Sequence, residues 1–66
     1  KMRQVSIRRF TARGSETSIY VIEEAERVVA KALEKSLVID EDKNEVIKAI
    51  MPDTQRILIV NPIAGG

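Results

Sequence analysis

The 66-residue sequence has no cysteine, no histidine and no tryptophan, and only three glycines and two prolines. Without cysteine there is no disulfide frame, no thiolate nucleophile and no sulfur ligand; without histidine the usual general base and metal ligand are missing too. The chain is poorly equipped for chemistry of its own and reads as a non-enzyme. Phe10 and Tyr20 are its only aromatics, which leaves little surface for stacking bases. There is no apolar run of membrane-spanning length and no signal-peptide pattern. These absences together fit a protein of the reducing cytoplasm with no membrane contact.

What is present describes one small domain. Hydrophobic residues make up 44% and charged residues 32%, too much apolar content for a disordered chain. A chain of this size buries only about 60% of its extended surface, so its core must be economical and a substrate pocket lined on all sides has no room. Abundant Glu, Lys and Arg with few Asn and Gln fit a thermophilic source. The net charge of +1 hides an asymmetry: Lys1, Arg3, Arg8, Arg9 and Arg13 stand among the first fourteen residues with no acid, leaving six basic against ten acidic residues elsewhere. One end can therefore meet an anionic partner, or its arginines can pair with the chain's own acids on a solvated strand face.

Val5 and Ile7 alternate with Gln4, Ser6 and Arg8, which predicts a half-buried strand over Met2 to Phe10. Arg9 breaks the alternation. Thr11 to Glu16 reads as a hairpin loop with Gly14 at a position needing positive φ. A second, antiparallel strand over Thr17 to Ile22 follows, with Ile19 and Val21 on one face and Tyr20 and Ile22 on the other. From Glu23 the period changes: Ala25, Val28, Val29, Ala32 and Leu33 form one stripe of an amphipathic helix reaching about Lys35 or Ser36. Glu23, Glu24 and Glu26 near its start and Lys31 and Lys35 near its end suit the helix dipole. No Ser, Thr, Asp or Asn caps its start, so the helix alternatively begins at Ser15 or Thr17 and removes the second strand.

Leu37 to Ile39 predicts a third strand. Asp40 to Glu45 is a polar turn with Asn44 suited to a left-handed position; it lacks the central glycine and ligand spacing of a calcium loop. Val46 to Met51 is a short strand or one helical turn, broken by Pro52 and Asp53. Ile57 to Val60 is an unbroken apolar run, which suits a strand covered on both faces. Asn61 and Pro62 close it, and Ile63, Ala64, Gly65 and Gly66 complete the chain. At an average glycine usage of roughly 7%, chance fills both final places in about 0.5% of chains. The division is a domain over 1–60 and a flexible diglycine tail over 61–66.

The order of elements, the small size and the terminal IVNPIAGG resemble the ubiquitin-like sulfur carriers, the ThiS and MoaD proteins of thiamine and molybdopterin biosynthesis, and their archaeal relatives. Gly65 and Gly66 match that family's terminal diglycine, Ile63 and Ala64 the small or apolar residues before it, and Pro62 a proline frequent in the molybdopterin-type carriers. The family's Gly-Asp pair before the last strand is absent; Asp53, Thr54 and Gln55 stand there. The resemblance implies an α+β, β-grasp fold, with a mixed sheet of four to five strands and one main helix across one face. It also implies a protein substrate: a ubiquitin-activating-like enzyme, itself binding ATP and magnesium, adenylates the Gly66 carboxylate. A sulfur donor then forms a thiocarboxylate for an acceptor synthase subunit or tRNA thiolation, or a target lysine takes the carboxylate as an isopeptide. The carrier itself holds no cofactor and no metal. Gly66 supplies the carboxylate, Gly65 a neck without a Cβ, and Pro62, Ile63 and Ala64 the contact recognised in the partner's channel.

Three other readings stay open. The glycines are a frayed terminus. RILIVNPIAGG also resembles the Asn-Pro-x-x-Gly-Gly nucleotide loop that opens lipid and NAD kinase relatives, which requires this chain to be an N-terminal piece. The basic first stretch belongs to a small nucleic-acid-binding module, disfavoured by the scarcity of aromatics and the acidic remainder.

Overall fold

A computed structural model describes residues 2–61. The elements run β1 (Gln4–Thr11), β2 (Gly14–Val21), α1 (Ile22–Ala32), β3 (Leu37–Asp40), β4 (Glu45–Val46) and β5 (Arg56–Val60). The strands form one five-stranded mixed sheet in the order β2-β1-β5-β3-β4. Only the central β1–β5 pair is parallel. The protein is thus α+β, a single helix packed on a mixed sheet. No helix among the described residues is long and apolar enough to cross a membrane.

Local chemistry explains most boundaries. The first hairpin turns at Ala12 and Arg13, with Gly14 at φ 127° where a Cβ would be strained. Thr11 Oγ1 accepts the Arg13 N–H at 3.2 Å and steadies the turn. β2 therefore starts at Gly14, three residues earlier than Thr17. Ser15 and Glu16 bury nothing, but strand pairing needs only their backbone, so periodicity could not mark them. The helix does not reach back to Ser15. Its first residue is Ile22, which was expected to end the second strand, and the missing side-chain cap has a backbone substitute, because the Ile22 N–H donates to the Arg3 carbonyl at 2.8 Å. α1 ends at Ala32, short of Lys35. Lys31 and Ala32 carbonyls then accept Glu34, Lys35 and Ser36 N–H groups in tight turns.

The apolar stripe of α1 lies across one sheet face. Ala25 and Val29 are buried there with Val5 and Ile7 of β1, Val38 of β3, and Ile57 and Ile59 of β5. Val28, Ala32, Leu33, Ile47 and Ile50 close the margins. Arg9 holds the same register as Val5 and Ile7 yet is exposed, standing at an open hollow beside α1 instead of under it.

Two buried polar residues hold the loops. The Asp40 carboxylate, 2% exposed, accepts the Asp42 and Lys43 N–H groups at 3.0 and 3.2 Å and shapes the β3–β4 turn, in which Asn44 sits at φ 56°. Of Val46–Met51 only Val46 is strand; Ile47 adds one bond to the Val38 carbonyl before the chain leaves the ladder. Met51 to Thr54 is a turn with Pro52 in its second position, closed by the Thr54 N–H on the Met51 carbonyl at 3.0 Å. Fully buried Thr54 accepts the Met51 N–H on Oγ1 at 2.9 Å, and the Arg3 guanidinium donates to the Met51 and Thr54 carbonyls. No residue of this turn takes a positive φ, so it forms without a glycine.

The main correction concerns β5. Its apolar run predicts cover on both faces, but only Ile57 and Ile59 are buried, while Leu58 and Val60 on the opposite face are half-buried. Ile57→Ala is therefore expected to cost about 3 kcal/mol, against about 1 kcal/mol or less for Leu58→Ala. Urea unfolding of both variants checks this, and equal losses would mean that both faces are covered.

Candidate functional site

Strand partners share a face, so the registers define what lies opposite α1. Leu58 is level with Arg8 on one side and Ile39 on the other, and Ile39 in turn with Val46; Val60 is level with Leu37. Phe10 lies on this face two residues beyond Arg8. Phe10, Leu37 and Val46 are 55%, 48% and 57% exposed. With half-buried Leu58, Val60 and Ile39 they make one apolar surface that no element among the described residues covers.

Charge lies on the same face: Arg56 where β5 begins, and Arg8 in the row of Leu58, Ile39 and Val46. Arg8 pairs with Glu41 at 3.4 Å and lies 5.6 Å from the Phe10 ring centroid. Its Nε is buried with no hydrogen-bond partner among the described residues. Arg56 donates from Nε and a terminal nitrogen to Asp42 Oδ1 at 2.9 and 2.5 Å, and this hydrogen bond holds its guanidinium above its ordinary pKa. The Arg56–Asp42 pair is exposed and contributes little stability, and the Arg8–Glu41 pair is part-buried; both consume arginine charge. Arg3 is turned to the Met51–Thr54 loop, and Arg8 and Arg9 point to opposite faces. The basic first stretch is therefore not a basic face.

The chain leaves the sheet where that face is apolar. β5 runs parallel to β1, so its end lies beside the β1–β2 turn. Asn61 follows, and its side chain accepts the Ser36 hydroxyl, which fixes the departure point against the segment joining α1 to β3. On the helix side the same end carries an open hollow of about 560 Å³, walled by Arg9, Val28, Lys31, Ala32, Ile59 and Asn61. The residues assigned to attachment and recognition, Pro62, Ile63, Ala64, Gly65 and Gly66, lie outside the described residues. What the structure does bring together are surfaces that the sequence did not single out. The signal was the unbroken ILIV run, which promised cover on a second face that no element among the described residues supplies.

No group of three or more His, Cys, Asp or Glu side chains among the described residues is placed to hold a metal ion. No family model, no curated protein and no solved structure matches this chain.

The loop leading into β5 is tied by Lys43 Nζ to Asp53 Oδ2 at 2.5 Å. The hydrogen bond from Lys43 lowers the Asp53 pKa from its ordinary 3.8, and the bond to Asp53 raises that of Lys43 from 10.5. A depressed carboxyl contributes above its ordinary value and stops contributing as pH falls through the lowered one; a raised amine contributes below 10.5 and stops as pH rises past its folded value. Carboxyl NMR titration is expected to give Asp53 a midpoint below 3.8, returning toward that value in Lys43→Met. A native midpoint at 3.8 would mean that the tie does not form.

Proposed function

We propose that this protein is a small ubiquitin-like carrier of the β-grasp kind, whose Gly66 carboxylate is activated by a partner enzyme. The observation that carries the proposal is the apolar face ending where β5 hands the chain to Asn61 and the NPIAGG segment. The order β2-β1-β5-β3-β4, with a parallel central pair and one helix across one face, is compatible with such a fold. A partner seated on Leu37, Val46, Leu58 and Val60 holds the body while the segment beyond Asn61 enters its channel. Burying those side chains supplies association energy at roughly 25 cal/mol per Å² before the costs of ordering are subtracted.

The chemistry then belongs to the partner. A carboxylate oxygen of Gly66 attacks the α-phosphorus of ATP and pyrophosphate departs; hydrosulfide next attacks the acyl carbon, AMP departs, and the resulting thioacid loses its proton. Glycine suits both steps because no Cβ obstructs approach to its carbonyl. The second product is a thiocarboxylate if sulfur is delivered, or an isopeptide if a lysine amine attacks instead.

Intact-mass spectrometry after incubation with ATP, a sulfur source and an extract of the source cells is expected to show one oxygen replaced by sulfur at the carboxyl end. Gly66→Ala is expected to lower ATP–pyrophosphate exchange by the partner by about tenfold or more, a loss of at least about 1.4 kcal/mol of transition-state stabilisation, with the urea midpoint unchanged. Val46→Glu with Leu58→Glu is expected to raise the partner's KM more than it lowers kcat. An unmodified mass together with full exchange by Gly66→Ala would reject the proposal.

A further inference from the structure

The outer edge of the sheet is unguarded. β2 pairs with β1 through eight consecutive residues without a bulge, and its other side meets no element among the described residues. From Gly14 to Ile19 every residue is exposed, and Ile19 is 68% exposed. Natural edges are blunted by lysine, proline, bulges or short length. β2 has none of these and carries one charge, Glu16. The opposite edge, β4, is only two residues long.

The hydrogen-bond phase of this edge follows from the neighbouring ladder. Ile22 N–H donates to the Arg3 carbonyl and Ser6 N–H to the Gln55 carbonyl, so odd residues of β1 face β2 and even ones face β5. In the antiparallel register, even residues of β2 therefore bond β1, and Ser15, Thr17, Ile19 and Val21 turn their N–H and C=O groups outward.

We propose that β2 pairs antiparallel with β2 of a second copy about a two-fold axis at Ser18, joining two sheets into one. In this register Thr17 exchanges bonds with the partner's Ile19, and Ser15 with the partner's Val21. Glu16 falls opposite the partner's Tyr20 instead of the partner's Glu16, so like charges do not meet. Thr17 and Ser18 at the centre are small enough for close approach, and a net charge of +1 per chain adds little repulsion. The faces stay continuous, so Ile19 of each copy covers the other diagonally. A different partner's strand would need its own complement to this charge order, whereas a second copy carries it.

The chain has no cysteine, which makes a directed test simple. Facing residues at Ser18 form a non-hydrogen-bonded pair with Cα atoms about 4.5 Å apart, inside the range a disulfide spans. Under mild oxidation Ser18→Cys is expected to become mostly a covalent dimer, while Glu16→Cys, equally exposed and on the same face, stays mostly monomeric. Sedimentation equilibrium of the unmodified chain is expected to show reversible monomer–dimer association. Thr17→Pro removes only an outward N–H and is expected to raise the dimer Kd by about tenfold or more, with the thermal melt of the monomer unchanged. Ile19→Lys, which leaves the backbone intact, is expected to weaken the dimer similarly by placing two cations beside the axis. Equal cross-linking at positions 16 and 18, or a chain that remains monomeric at every concentration, would overturn the proposal, the second outcome assigning the edge to a strand of another protein.

Discussion

The parallel pairing of β1 with β5 is the constraint on which the rest depends. Pairing the first described strand with the last puts both at the centre of the sheet, Ile7 level with Ile57 and Arg9 with Ile59. Everything between them must travel outward and return: a hairpin on one side, then a helix crossing to β3 and β4 on the other. The crossing helix can cover one face only. The described residues hold one helix, of eleven residues, and none of their other elements covers the second face, however apolar the strands are.

That open face gives the β5 sequence a second meaning. Ile57 and Ile59 stabilise the fold, while Leu58 and Val60 face outward with Leu37, Ile39 and Val46. Apolar side chains left exposed together on a sheet face form a candidate contact surface. Charged and apolar residues share this face: Arg56 pairs with Asp42 at the start of β5 and Arg8 with Glu41 level with Leu58, while Leu37 and Val60 occupy the end from which the chain departs. The proposed carrier role uses that polarity, the body being held by its face while the following segment is presented. β2 supplies a separate surface, built from backbone groups, on another side of the molecule.

Loop residues make the sheet possible without contributing to its faces. Asp40 and Thr54 are almost wholly buried and spend their oxygens on backbone N–H groups, which otherwise would lose water without a partner. Arg3, just before β1, reaches the turn before β5 and ties the two central strands together a second time. The Arg3 carbonyl meanwhile caps α1, so one residue links hairpin, helix and final turn.

Much of this was legible along the chain because periodicity and turn chemistry are local. The alternation of Val5 and Ile7, the stripe of Ala25, Val29 and Leu33, the left-handed Asn44 and Gly14, and the breaks at Pro52 and Asn61 each follow from neighbouring residues. Boundaries set by backbone pairing were not legible: Ser15 and Glu16 join β2 because β1 offers partners, and α1 begins at Ile22 because a distant carbonyl receives its N–H. The sequence by itself determined which residues are apolar and at what spacing, hence the element types and the shared stripe. Only the tertiary structure decided that Leu58 and Val60 face outward, that Arg3 and Arg8 spend their charge within the molecule, and that β2 ends the sheet. Burial on a given face depends on how many layers the chain can build, and a count of layers is a property of the whole fold.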